Sequence, residues 1–337
     1  MSESMAKYQK PRELGIDLLK FICMLGVVGL HTQRDLATNV LYNPILYYLS
    51  RFAMPVFFMI NGYLIMKKTE FDFKYYKKKI LNMVRLLFIW GCISGVYSLL
   101  LCGDSLKQAV FNSIKCMLGY YIVPFWFMFT FILIYTILLI GFNWIKRNIK
   151  LLTTILIGVC LVIDICSFVN ICNGGGFVTA SINQRFKLWT WLMYFFLGYA
   201  VSEVKTNFSA TKKYLLLAVT SVASCIIQYL YCFKLAGIIN SGYLYNNIFI
   251  IAWSVLIFVI FKNIRYANKA GKYILFFCSN SFGIFLMHEY ITAYFGLTSK
   301  VSTAVEATLL WIFIIVVTLL LTALLRKIPY IKRAFEY

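Results

Sequence analysis

Ten stretches of the chain, near residues 14–34, 43–66, 80–101, 123–143, 151–170, 187–202, 214–233, 244–261, 273–296 and 306–325, approach or exceed the roughly 20 apolar residues that a bilayer crossing needs. A globular interior buries one stripe of most helices and has no place for so many runs that are apolar all round. In lipid, every backbone polar group must be satisfied within its own segment, so runs of this length become helices. The expected fold is all-α, a polytopic integral membrane protein of about ten spans. An N-terminal tail occupies 1–13, one membrane domain 14–325, and a basic C-terminal tail 326–337. Only 13% of the 337 residues are charged, about half the proportion in soluble domains.

A net charge of +21 would suggest nucleic acid as a partner if the chain were soluble. Its distribution explains it differently. With the N-terminus in the cytoplasm, seven Lys and Arg fall in outer loops (Arg34, Lys107, Lys115, Arg185, Lys187, Lys234 and Lys300) and three inside spans (Lys20, Arg51 and Arg85). The other twenty-three, including Lys7, Lys10, Arg12, Lys67, Lys68, Lys205 and Arg265, lie in inner loops and tails. That excess is the mark of cytoplasmic loops. Both termini are expected inside, with the lipid bilayer rather than nucleic acid facing the charge. The ten Cys are scattered without a CxxC pair, and only two His accompany them, so neither a disulfide framework nor a metal site is expected.

An ionisable residue inside a span costs a few kcal/mol and marks a candidate functional position. The first span, "DLLKFICMLGVVGLH", holds three. At 100° per residue, Lys20 and His31 lie about 20° apart around the helix and Asp17 about 40° from His31 on the other side, so all share one face. At 1.5 Å per residue, Lys20 and His31 are about 16 Å apart along the axis, with Lys20 toward the cytoplasm. His288, the other histidine of the chain, lies at a similar depth in the ninth span. Glu289 follows it, but neighbouring helix positions point about 100° apart and are not expected to face one cavity squarely. Asp164 is another acid in the outer half. In the second span, Arg51 precedes Pro55, which removes a helix hydrogen bond and favours a kink, and Asn61-Gly62 offers a second break or a close helix contact. "KYYKKKILNMVRLL" carries a basic cluster into the third span, suited to a phosphate-binding funnel at the inner mouth.

These residues resemble the acyltransferase 3 family of bacterial membrane proteins, and the resemblance covers nearly the whole chain. The family's first-span pattern, a basic residue followed eleven positions later by His, is similar to Lys20 and His31, preceded by Asp17. Its second-span pattern resembles Arg51, Pro55, Phe57-Phe58 and Asn61-Gly62-Tyr63, and its basic third-span start resembles Lys78, Lys79 and Arg85. Trp126, Gly198, Ser281 and His288 match later positions. Lys20 stands where Arg is commonest, Asn61 replaces Ser, and Asn82 replaces an Arg, departures that bear on substrate identity.

The resemblance implies a multi-pass protein of the bacterial cytoplasmic membrane that moves an acyl group, commonly acetyl, from acetyl-CoA (acyl-CoA) to a hydroxyl of an envelope or surface glycan. On that reading His31 is general base or acyl carrier, with Arg51 and Lys20 catalytic beside it. Asp17, Lys78, Lys79, Arg85, Asn61, Trp126 and His288 would contact CoA or substrate. A transporter or flippase for glycan or small envelope precursors is the alternative, since buried charges also line transport paths.

Overall fold

The computed structural model describes residues 13–35, 40–121, 125–204, 208–264, 268–295 and 300–335. Lys7, Lys10, Arg12, Lys205 and Arg265, counted above among the inner charges, lie outside the described residues. In chain order the helices are α1 (Leu14–Thr32), α2 (Pro44–Leu49) leading through a 3-10 turn into α3 (Ala53–Met66), α4 (Phe73–Leu101), α5 (Leu106–Met117), α6 (Trp126–Arg147), α7 (Ile149–Cys172), α8 (Leu188–Ala200), α9 (Ala210–Gln228), α10 (Ile248–Lys262), α11 (Asn268–Tyr294) and α12 (Ala304–Leu325).

Among the described residues, eight helices are long and apolar enough to cross a membrane, with α2 and α3 counted as one. The chain is a multi-pass membrane protein. All ten expected runs are largely helical, but α8 and α10 have 13 and 15 residues. At 1.5 Å per residue they are about 20 and 22 Å long, against a hydrocarbon thickness of about 30 Å. Short turns precede both, at Gln184–Phe186 and Ser241–Asn246, where the side chains of Asn183 and Asn240 accept backbone N–H bonds. Chain that would otherwise lengthen these helices is spent on the turns. The lipid face is plainest on α7, where only 17% of the most apolar window is buried and Ile155, Val162 and Ile165 are exposed.

Local chemistry sets the element ends. Asp72 starts α4 by accepting from Tyr75 N at 2.7 Å, and Thr303 with Glu306 forms a capping box at α12. Pro55 has no N–H for the Arg51 carbonyl, and the helix tightens at Ser50–Phe52 just before it. Helices α3 and α8 pack backbone against backbone. A Cβ on Gly62 would stand 1.7 Å from the Phe195 carbonyl oxygen, and one on Gly198 2.0 Å from that of Met59. Two hydrogen side chains therefore let the backbones touch.

The two ends of the bundle differ. At the Lys20 end of α1, Lys67 Nζ lies 2.5 Å from a Glu13 carboxylate oxygen, while Lys146 donates to the Lys68 carbonyl and Lys262 to that of Ser202. At the His31 end, Gln33 donates to the Ala307 carbonyl at 2.9 Å and Asn43 to Thr308 at 3.1 Å. The C-terminal segment turns back on the bundle. Trp90 Nε1 donates to the Ala334 carbonyl at 2.9 Å, and Phe335 is buried between Trp90 and Gly283.

Candidate functional site

The site is built on α1, which packs against α3, α10, α11 and α12 and so turns its polar stripe toward protein. At its far end, His31 Nδ1 pairs with the Glu289 carboxylate of α11. A carboxylate only accepts, so Nδ1 carries the ring proton and leaves the Nε2 lone pair available. The ring of His288 stands edge-on to that of His31, centroids 5.3 Å apart. His288 is fully buried, and its Nδ1 lies 2.6 Å from the Phe285 carbonyl and 3.2 Å from that of Ile284. Those two acceptors assign its proton to Nδ1 as well. Its Nε2 has no hydrogen-bond partner among the described residues and faces Glu289 Oε1 at 4.0 Å.

Both histidines thus meet, as their shared depth suggested. Glu289 joins them, against the expectation from helix geometry. The radial argument ignores side-chain length: His31, coming from a neighbouring helix, contacts the carboxylate and the imidazole of adjacent residues together. Asp164 takes no part, since its Oδ2 accepts from Asn247 Nδ2 at 2.8 Å. The donor atoms of His31, His288 and Glu289 lie within 4.8 Å of one another, a grouping compatible with a divalent metal that cysteine and histidine spacing in the sequence did not suggest.

Arg51, in the tight turn before Pro55, is 6% exposed. Its Nη2 donates to the Tyr47 hydroxyl and to Asn240 Oδ1 at 2.8 Å, and its Nη1 to the Tyr245 hydroxyl at 3.3 Å. Arg34, which follows α1 and was counted only as an outer-loop charge, donates to the same Tyr47 oxygen at 3.3 Å. It also acts electrostatically on Glu289. His31 thus pairs with Glu289, and Arg34 shares the Tyr47 hydroxyl with Arg51, while the field of Arg34 reaches Glu289 without an ion pair. Arg34, Tyr47, Asn240 and Tyr245 were not singled out in the sequence; of these, only the position of Arg34 three residues after His31 offered a signal.

At the other end, Lys20 Nζ donates to the buried Asp17 carboxylate at 3.2 Å. Lys79 lies in the positive field of Lys68, Lys20 and Lys78, so four lysines from α1, α4 and the loop between α3 and α4 share one mouth. Arg85 is on the exposed side of α4. Asn61 donates to the Phe57 carbonyl of its own helix at 2.8 Å, and Trp126 joins an aromatic cluster with Phe58 and Trp191. On the α1 face between the two polar ends lie Met24 and Val27, both buried. Outside the spans, burial pushes the Glu13 carboxyl up, but hydrogen bonds from Lys67 and Tyr63 outweigh it and hold the group below its ordinary range.

The arrangement defines a class: a helical membrane protein with a carboxylate-oriented imidazole at one end of a buried stripe and a lysine mouth at the other. The chain belongs to the acyltransferase 3 family, whose model, described as an acyltransferase domain, matches residues 13–327. That assignment points to a membrane acyltransferase. No curated protein and no solved structure matches the chain.

Proposed function

We propose that this protein moves an acyl group, acetyl in the simplest case, from acyl-CoA to a hydroxyl of an envelope glycan, with both termini in the cytoplasm of a bacterial cell. The observation that carries the reading is the His31–Glu289 pair in a chain of this family. An imidazole whose Nδ1–H is held by a carboxylate presents Nε2 as a base, the arrangement used to activate hydroxyl nucleophiles. The 23-to-7 excess of basic residues supports placing the Lys20 end inside. There the lysines attract the CoA phosphates.

In the proposed step, the acceptor oxygen attacks the thioester carbonyl while His31 Nε2 takes the hydroxyl proton. Glu289 stabilises the resulting imidazolium. The tetrahedral intermediate collapses with cleavage of the C–S bond, and the departing CoA thiolate recovers the proton from His31. Ester and CoA thiol are the products, with no other reactant. General base catalysis of this kind contributes about 10²–10⁴-fold.

The test uses purified protein, acetyl-CoA labelled in the acetyl group, and a membrane extract containing envelope glycans. Transfer by the wild type and a loss of at least ~100-fold in His31→Ala are expected. Undiminished transfer by His31→Ala removes the base. Labelled protein accumulating without acceptor replaces direct transfer by an acyl-His31 carrier, and glycan translocation with no acyl product supports the transport alternative.

A further inference from the structure

Beside the His31–Glu289 pair, two guanidinium groups converge on one neutral oxygen. Arg34 Nη1 and Arg51 Nη2 both donate to the Tyr47 hydroxyl. Their guanidinium carbons stand 5.7 and 4.7 Å from the centroid of the Tyr47 ring, respectively. The further partners of Arg51, the Tyr245 hydroxyl and the Asn240 amide oxygen, are neutral too. Its Nε has no partner although the residue is almost wholly buried.

Among the described residues, no carboxylate lies within ion-pair distance of either guanidinium. Glu289 is the acid that acts on Arg34, and its Oε1 is engaged by His31. Two cations held close together on neutral acceptors repel one another, and burial removes the water that would otherwise screen them. Such a pair is completed by an anion. Planar guanidinium forks match the paired oxygens of carboxylate and phosphate, and several of these N–H groups are still available.

We propose that Arg34 and Arg51, bridged by Tyr47, form an anion subsite adjoining His31, and that it recognises a carboxylate or phosphate group on the acceptor. The word acceptor rests on the acyl-transfer reading above; binding of the anion does not. A neutral glycan leaves this subsite without its complement, so the molecules modified belong to the acidic class of envelope polymers.

The test measures equilibrium binding to the full chain in nanodiscs, without acyl-CoA. Three fluorescent probes of equal length are compared: a uronic-acid oligosaccharide, a glycerol phosphate oligomer and a neutral glucose oligomer. At least one anionic probe is expected to bind about tenfold more tightly than the neutral one, with the advantage shrinking as salt rises. The favoured anionic probe identifies carboxylate or phosphate as the group read. Arg34 is only half-buried, and Arg34→Gln is expected to reduce the preference to within about threefold at an unchanged melting temperature. Arg34→Lys, which keeps the charge and loses the fork, serves if the Gln variant does not fold, with a smaller loss expected. Equal binding of all three probes, or full selectivity in both variants, overturns the proposal. Because no acyl donor is present, a protein that selects the anion yet transfers no acyl group sinks only the acyl-transfer reading.

Discussion

His31 and Arg51 were legible because a titratable group in an apolar run is costly and therefore conspicuous. Glu289 was passed over although it adjoins His288, since a helical wheel treats side chains as spokes and cannot show a third residue contacting two neighbours. Arg34 was hidden by topology counting, which files a loop charge by side and not by partner. Glu289 yields a direct prediction. Glu289→Gln retains an oxygen that accepts from His31 Nδ1 but removes the charge that stabilises the imidazolium, so kcat is expected to fall by about 10²-fold. KM for acetyl-CoA, whose phosphates are proposed to bind at the other end, is expected to be unchanged. Labelled acetyl transfer under saturating donor measures both, and wild-type turnover would reduce Glu289 to a structural partner.

The helices were readable from length and apolarity, whereas their ends were not. The polar Asn183-Gln184-Arg185 lies ahead of the run expected at 187–202, but the Ser241–Asn246 turn extends into the run expected at 244–261, because Leu244 and Tyr245 suit a span as well as a turn. A kink was expected at Pro55, and what the structure has there is a 3-10 tightening at Ser50–Phe52, consistent with the missing N–H. Gly62 belonged to an expected break or close contact, and the structure makes it the contact. Gly62→Ala would drive a methyl into the Phe195 carbonyl and is expected to cost at least ~1–3 kcal/mol, as overpacking does. Thermal unfolding in detergent checks this. A melting temperature equal to wild type would mean that α3 and α8 part without penalty, contrary to their backbone contact.

At the level of the whole molecule, the Lys20 end is held by a clasp between the start of α1 and the α3–α4 connection, Lys67 and Tyr63 both donating to Glu13. The folded Glu13 carboxyl titrates below its ordinary value of 4.5. Its contribution is therefore present at neutral pH and lost as pH falls through the folded value. Glu13→Gln is expected to melt below wild type at about pH 7, with the gap shrinking as pH falls below the ordinary carboxyl range and through the folded value. A constant gap across that range would show that the charge of Glu13 does not tie the bundle.

Met24 and Val27 bear on how such a protein lives in an energised membrane. A continuous file of water from lysines to imidazole would conduct protons, each releasing about 2.3 kcal/mol per 100 mV crossed. Two buried oily side chains break the polar face at the middle of α1 and so oppose such a file. On the acyl-CoA reading proposed above, the unbranched thioether of Met24 would be the pliable element that swings aside for a slender pantetheine arm and closes behind it. On that reading, catalysis through the bilayer would not discharge the gradient on either side of it.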